Sequence, residues 1–273
     1  MRKLAYSLLL SAGLAIISCF AFAMKNFPAK DFFSGSQLTL AQAIENGDLA
    51  AVQALAPKTD LNTPGRKNMT MLFFAFQEAL QRDPKQLEIM TALVKAGADI
   101  RHRVPSMGSV LGIAVNAEYP EYLHALLNAG IDPNTLLDGD TPLIFDAATA
   151  RTFASLKLLL ARGADINRRD SLRNTALFEA LMNNGLDQID YLLDHGANPN
   201  TYNINGVSFP FALSKDINRN ASTPDSVTSR KLLEIRDRLI KMAVKWPPET
   251  PEQIRARWGA NAPRRLDDSQ LPL

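Results

Sequence analysis

The chain has 273 residues, 46% of them hydrophobic and 21% charged, with 30 Lys and Arg against 28 Asp and Glu and a formal net charge of +2. The excess is Arg2 and Lys3, which open an N-terminal leader, so the remainder is neutral and has no global field for a polyanion; nucleic acid is excluded as the partner class. The single cysteine, Cys19, excludes a disulfide framework, and roughly 250 residues beyond the leader suffice to bury a continuous core.

Residues 1–23 have the form of a secretory signal: Met1-Arg2-Lys3, then the uncharged, apolar stretch Leu4–Ala23. Two processing sites compete. Ala21-Phe22-Ala23 fits cleavage before Met24, whereas Ile16-Ile17-Ser18-Cys19 resembles a bacterial lipobox, in which Cys19 would be lipidated and become the first mature residue. Export to a periplasm is the expectation, as a soluble protein or anchored to the outer membrane through Cys19. Membrane contact is expected only through that N-terminal lipid or an uncleaved leader.

Residues 24–37 read as a linker. Leu40–Leu55 then has the body of a helix pair without its opening signal, as a capping unit would, and Asp60-Leu61-Asn62 starts a turn. From here two markers recur in register. A hydroxyl residue opens an apolar run at Thr70, Ser109, Thr141, Thr175 and Ser208, stepping by 39, 32, 34 and 33 residues. Such a side chain can accept a hydrogen bond from an orphan N–H in the first helical turn, and Pro142 after Thr141 suits a first helical position. The second marker is glycine at 97, 130, 163 and 196, each 33 residues after the last, where a left-handed residue closes a helix.

Between the markers lies room for two short amphipathic helices; in one unit these are Leu111–Asn116 and Pro120–Leu127. Asp60 to Asp99 is six residues longer than the period. The excess falls around Gln77–Gln86, with Asp83-Pro84 as a fresh helix start. After Ser208 the pattern loosens: Ser226–Lys245 reads as a closing helix within a cap over 216–246, and 247–273, with five prolines, as a loosely ordered tail.

The unit with Thr141-Pro142-Leu143 at its start and Gly163-Ala164-Asp165-Ile166-Asn167 at its end closely resembles the ankyrin repeat, over residues 38–215. The resemblance implies an all-α solenoid of stacked helix-turn-helix units with short β-hairpin turns, a monomer when free, and binding of a protein rather than catalysis. The His that often follows Thr-Pro-Leu is replaced by Phe73, Gly112, Ile144 and Phe178, so apolar packing must substitute for its inter-repeat bond.

In such an array the turns align along one edge. Arg101, Arg103, Arg168, Arg169 and Arg173 fall in these turns, with Leu136, Leu137 and Tyr202, and Phe74 and Phe145 stand close by in sequence. These ten residues form the candidate partner surface, since Arg and Tyr combine contact area with directed bonds. Chemistry is harder to assemble. His102 lies in a turn, His124 on a second helix and His195 at a helix end; Glu88, Glu121 and Glu179 fall in different repeats; no metal, phosphate or nucleophile motif is present. No cofactor and no enzymatic activity are expected. In architecture the chain resembles exported immunity proteins that neutralise antibacterial effectors, including phospholipases delivered by type VI secretion. The alternative is a general periplasmic scaffold supporting oxidative-stress defence or envelope protein assembly.

Overall fold

The computed structural model describes residues 28–258, so the leader, Cys19 and the end of the tail lie outside the described residues. The chain divides into two compact units at Asp132/Pro133. The first holds α1 (Gly35–Glu45), α2 (Leu49–Leu55), α3 (Met71–Glu78), α4 (Pro84–Lys95), α5 (Val110–Asn116) and α6 (Glu121–Asn128), with a two-residue antiparallel ribbon, β1 (Arg103–Val104) and β2 (Gly108–Ser109). The second holds α7 (Leu143–Ala147), α8 (Phe153–Ala161), α9 (Ala176–Met182), α10 (Leu186–Asp194), α11 (Phe209–Arg219), α12 (Val227–Lys241) and α13 (Pro251–Trp258). Helices pair in sequence, and first helices pack on first helices of the next repeat: α1 on α3, α3 on α5, α7 on α9 and α9 on α11.

The hydroxyl markers head their helices, with one displacement. Thr70 Oγ1, Ser109 Oγ and Ser208 Oγ each accept the N–H three residues on, at 3.2 Å. Thr175 also precedes its helix, but its side chain accepts no capping bond. At Thr141-Pro142 the sequence reading is one residue early. The returning arm of the hairpin runs extended through Pro142 (ψ 138°), Leu137 N–H donates to Thr141 O at 2.7 Å, and the helix begins at Leu143. Pro120 likewise precedes α6 instead of opening it.

Each repeat closes at its glycine, with φ of 97°, 99°, 87° and 90° at Gly97, Gly130, Gly163 and Gly196. The next N–H reaches back five residues, as from Ala164 to Leu159 O at 3.0 Å, which satisfies a carbonyl that the helix end would orphan.

Between repeats runs a ladder that the sequence reading missed. Asn167 Nδ2 donates to Gly196 O (3.4 Å) while its Oδ1 accepts from Asn198 N–H (2.8 Å). Asn134 does the same to Gly163 and Asp165, and Asn62 to Gly97 and Asp99. Arg101 occupies the equivalent place in the third repeat. Replacing Asn167 by Ala removes two bonds worth about 1 kcal/mol each at most, so chemical denaturation should show a loss of about 1–2 kcal/mol without a change of fold.

A second set of inter-repeat bonds comes from the outer helices. Gln86 Nε2 donates to Ile44 O (2.9 Å), Tyr122 Oη to Leu80 O (2.9 Å) and Gln188 Nε2 to Thr149 O (2.9 Å). Each ties a second helix to the last turn of the preceding first helix or to the chain just beyond it. Burial raises the Tyr122 phenol above its ordinary pKa.

The six extra residues lengthen both helices of the second repeat and add a 3-10 turn at Ala79–Gln81, with Asp83 Oδ1 capping α4 through Lys85 N–H at 2.8 Å. Two segments depart from the sequence reading. Phe32 and Phe33, within the stretch read as a linker, are buried and meet Phe74 at ring distances of 6.1 and 5.6 Å. The closing helix stops at Lys241, and the proline-rich tail continues into α13, with Ile254 fully buried. Prolines end helices yet serve well at their starts, as Pro251 does here.

Candidate protein-interaction surface

The turns that carry the candidate side chains are held rigid by their own acidic and amide residues. Asp99 Oδ1 accepts Arg101 N–H at 2.8 Å, which fixes the backbone from which the exposed Arg101 projects. Arg103 lies exposed on β1, and Asn68 of the preceding turn bonds both Arg103 O and His102 Nε2 at 3.0 Å. In the second unit Asp170 Oδ1 accepts from Leu172 N–H (2.9 Å) and Asn174 N–H (2.8 Å), closing the tip after Arg168 and Arg169. Arg168 is exposed there, while Arg169 and Arg173 are half-buried.

Leu136 and Leu137 are also half-buried, Leu136 bridging to Pro142. Tyr202 is half-buried and lies edge-to-face with Trp258, at 6.3 Å between ring centres. Phe74 and Phe145 are withdrawn from the candidate surface: both are core, at 1% and 3% exposure. α3 is packed between α1 and α5 and against α4, and α7 against α8 and α9, so Phe74 and Phe145 turn inward.

The reading also missed Leu172. It stands 49% exposed at the tip between Arg168 and Arg173, and its carbonyl accepts Ile204 N–H of the following turn at 3.0 Å. An apolar residue in an otherwise polar turn, Asp170-Ser171-Leu172-Arg173-Asn174, was the available signal. A rigid tip that presents one leucine among arginines can offer apolar area and charge together.

The histidines have structural partners. His195 Nδ1 lies 2.8 Å from Tyr191 O at the end of α10 and its ring stacks on Tyr191; His124 is exposed beside Asn128. Among the described residues no group of three His, Cys, Asp or Glu side chains could hold a metal ion.

Glu179, on α9, is held above the ordinary carboxylate range, first by burial and then by the charges of Asp170 and Asp146. The folded state therefore holds this proton more tightly than the unfolded chain. Its contribution favours folding below the unfolded pKa and is lost as pH rises through that value to the folded one. Glu179→Gln should raise the thermal midpoint at pH 7, and the gain should vanish below about pH 4 in melts across that range.

Residues 111–203 match the ankyrin-repeat family in three copies. That stretch is built of ankyrin repeats. The matched region holds α5 to α10 and the closing glycines at 130, 163 and 196. The ankyrin repeat domain of Bcl-3 superposes with a TM-score of 0.57 at 25% identity, covering 78% of this chain and 90% of that domain. The fold is an ankyrin-repeat solenoid.

Protein PhlB of Serratia liquefaciens is 32% identical over 148 residues, 54% of this chain and 62% of that protein. Alpha-latroinsectotoxin-Lt1a of Latrodectus tredecimguttatus is 30% identical over 130 residues, 45% of this chain and 9% of the toxin. The chain thus spans less than two thirds of the length of either relative.

Proposed function

We propose that this chain is an exported binding protein that inhibits a toxic antibacterial effector, such as a secreted phospholipase, by covering its mouth. The observation that carries the reading is the rigid tip at Arg168–Arg173, where Leu172 and Arg168 stand exposed on a turn fixed by Asp170. An acidic rim around an apolar mouth is the complementary surface. Ankyrin repeats are protein-binding scaffolds, and the leader-like residues 1–23 give the reading its periplasmic address, with Cys19 as the lipid anchor in the outer-membrane version.

The test is inhibition. Each arginine pair, Arg101/Arg103 and Arg168/Arg169, is changed to Glu and titrated against the activity of the effector recovered from the cognate strain. Exposed pairs contribute little singly, so the expected result is an association rate reduced roughly tenfold or more by charge reversal, with dissociation less affected. If no secreted toxin is recovered and cells lacking the gene are no more sensitive to their siblings, the general scaffold function replaces this one. Fatty-acid labelling of wild type against Cys19→Ala separates the lipidated from the soluble form.

A further inference from the structure

The last two hairpin tips differ in one respect: the later one is occupied by the chain's own C-terminal segment. At 170–174 the tip leaves Leu172 open. At 202–206 Trp258 lies edge-on against Tyr202, and Arg255 Nη1 donates to Asn205 O at 2.6 Å. Gly206 sits so close beneath Pro251 that a Cβ there would stand 2.9 Å from the Pro251 carbonyl oxygen. Ile254 is the buried anchor between them.

This attachment is slight beside that of the helix before it. α12 is locked to α10 by Lys231–Asp190 (2.6 Å), Arg238–Asp194 (2.6 Å) and Arg238–Asp190 (3.3 Å), over the buried Leu232, Ile235 and Leu239. Hydrogen bonding to Asp190 raises the Lys231 pKa, as a formed ion pair requires. α13 has eight residues, fewer than an isolated helix needs to persist, and therefore depends on its docking. Its docking includes the Trp258 ring on Tyr202, the Arg255 hydrogen bond to Asn205 O and the buried Pro251 and Ile254. A cleft of about 30 Å³, lined in part by Tyr202, Pro210, Val244 and Pro248, lies between the hairpin and the chain that leads into α13.

We propose that α13 is a displaceable strap: it holds the edge of the last hairpin in the free protein and yields it to a protein segment of like chemistry, a short helix presenting an aromatic ring and an arginine. The inference rests on the hairpin edge being the partner surface. Tethering gives the strap a high effective concentration, so a partner must bind more strongly than the few contacts that α13 makes. Occupancy of this edge would thus be selective without any change in the packed repeats.

Native-state hydrogen exchange on the full-length chain tests the strap directly. Amides of residues 251–258 should open separately, on the order of 100-fold more often than those of α11 and α12. Trp258→Ala should abolish the remaining strap protection, leaving α9 to α12 and the Gly206 N–H, which donates to Asn203 O within its own turn, unchanged. A fluorescein-labelled peptide of residues 249–258, used as the probe, should bind the Trp258→Ala protein roughly tenfold or more tightly than wild type, where the strap competes. Exchange of 251–258 in step with α12, or failure of the peptide to bind the variant, would overturn the proposal. A missing toxin leaves these readouts untouched and sinks only the inhibitory function.

Discussion

Replacing Phe74 by Ala should destabilise the first unit by about 3–5 kcal/mol, the cost of a large core cavity. Phe74 is 1% exposed on α3 and meets the rings of Phe32 and Phe33, so truncation unpacks the N-terminal segment together with the helix. Two backbone links define where the damage should spread. Arg66 N–H donates to Phe32 O at 2.8 Å, and Gly65 lies against that same carbonyl with no room for a Cβ. Urea unfolding followed by far-UV circular dichroism gives the measure. Loss below about 1 kcal/mol would mean that the side chain faces outward, since surface substitutions stay near that level or less.

What the sequence made legible was what local chemistry controls. A left-handed glycine, a hydroxyl before an apolar run and Asp83-Pro84 each act within one helical turn, and each marks the element that it opens or closes. The failures share a different cause. Phe74 and Phe145 looked like surface aromatics because they fall beside the turns, but Met71–Gln77 is buried on every side of α3, leaving no stripe to read. The Asn62, Asn134 and Asn167 ladder joins residues about one repeat apart, and the Tyr202–Trp258 contact joins a hairpin to a helix in a proline-rich segment. Such pairings are set by how repeats stack, which spacing within one repeat does not encode. Thr141 shows the limit within a turn: the capping signal was present, but the hairpin pairing at Leu136–Pro142 kept the chain extended one residue longer.

The candidate surface divides along the same line. The arginines at 101, 103 and 168 were legible because charged side chains in polar turns project into water, and the structure leaves all three exposed. Leu172 required the tip itself, since its exposure depends on Asp170 closing the turn beneath it. Tyr202 had the right composition and the wrong neighbour, because its ring already carries Trp258.

Gly163→Val should cost about 1–2 kcal/mol or somewhat more, and the cost should come from the backbone alone. The residue has φ 87°, and a Cβ built on it meets nothing within 4 Å, so no clash competes with the conformational penalty. A β-branched side chain is the worst occupant of a left-handed position, and Asn the best after glycine. Gly163→Asn should therefore recover most of the stability that Gly163→Val loses. Two neighbours would transmit the strain: Ala164 N–H to Leu159 O at 3.0 Å closes α8, and Gly163 O accepts from Asn134 Nδ2 at 3.3 Å. A shift at this glycine thus loosens a helix end and a rung of the inter-repeat ladder together. Equal losses for Val and Asn would show that space, not φ, governs the site, contrary to the open surroundings of Gly163.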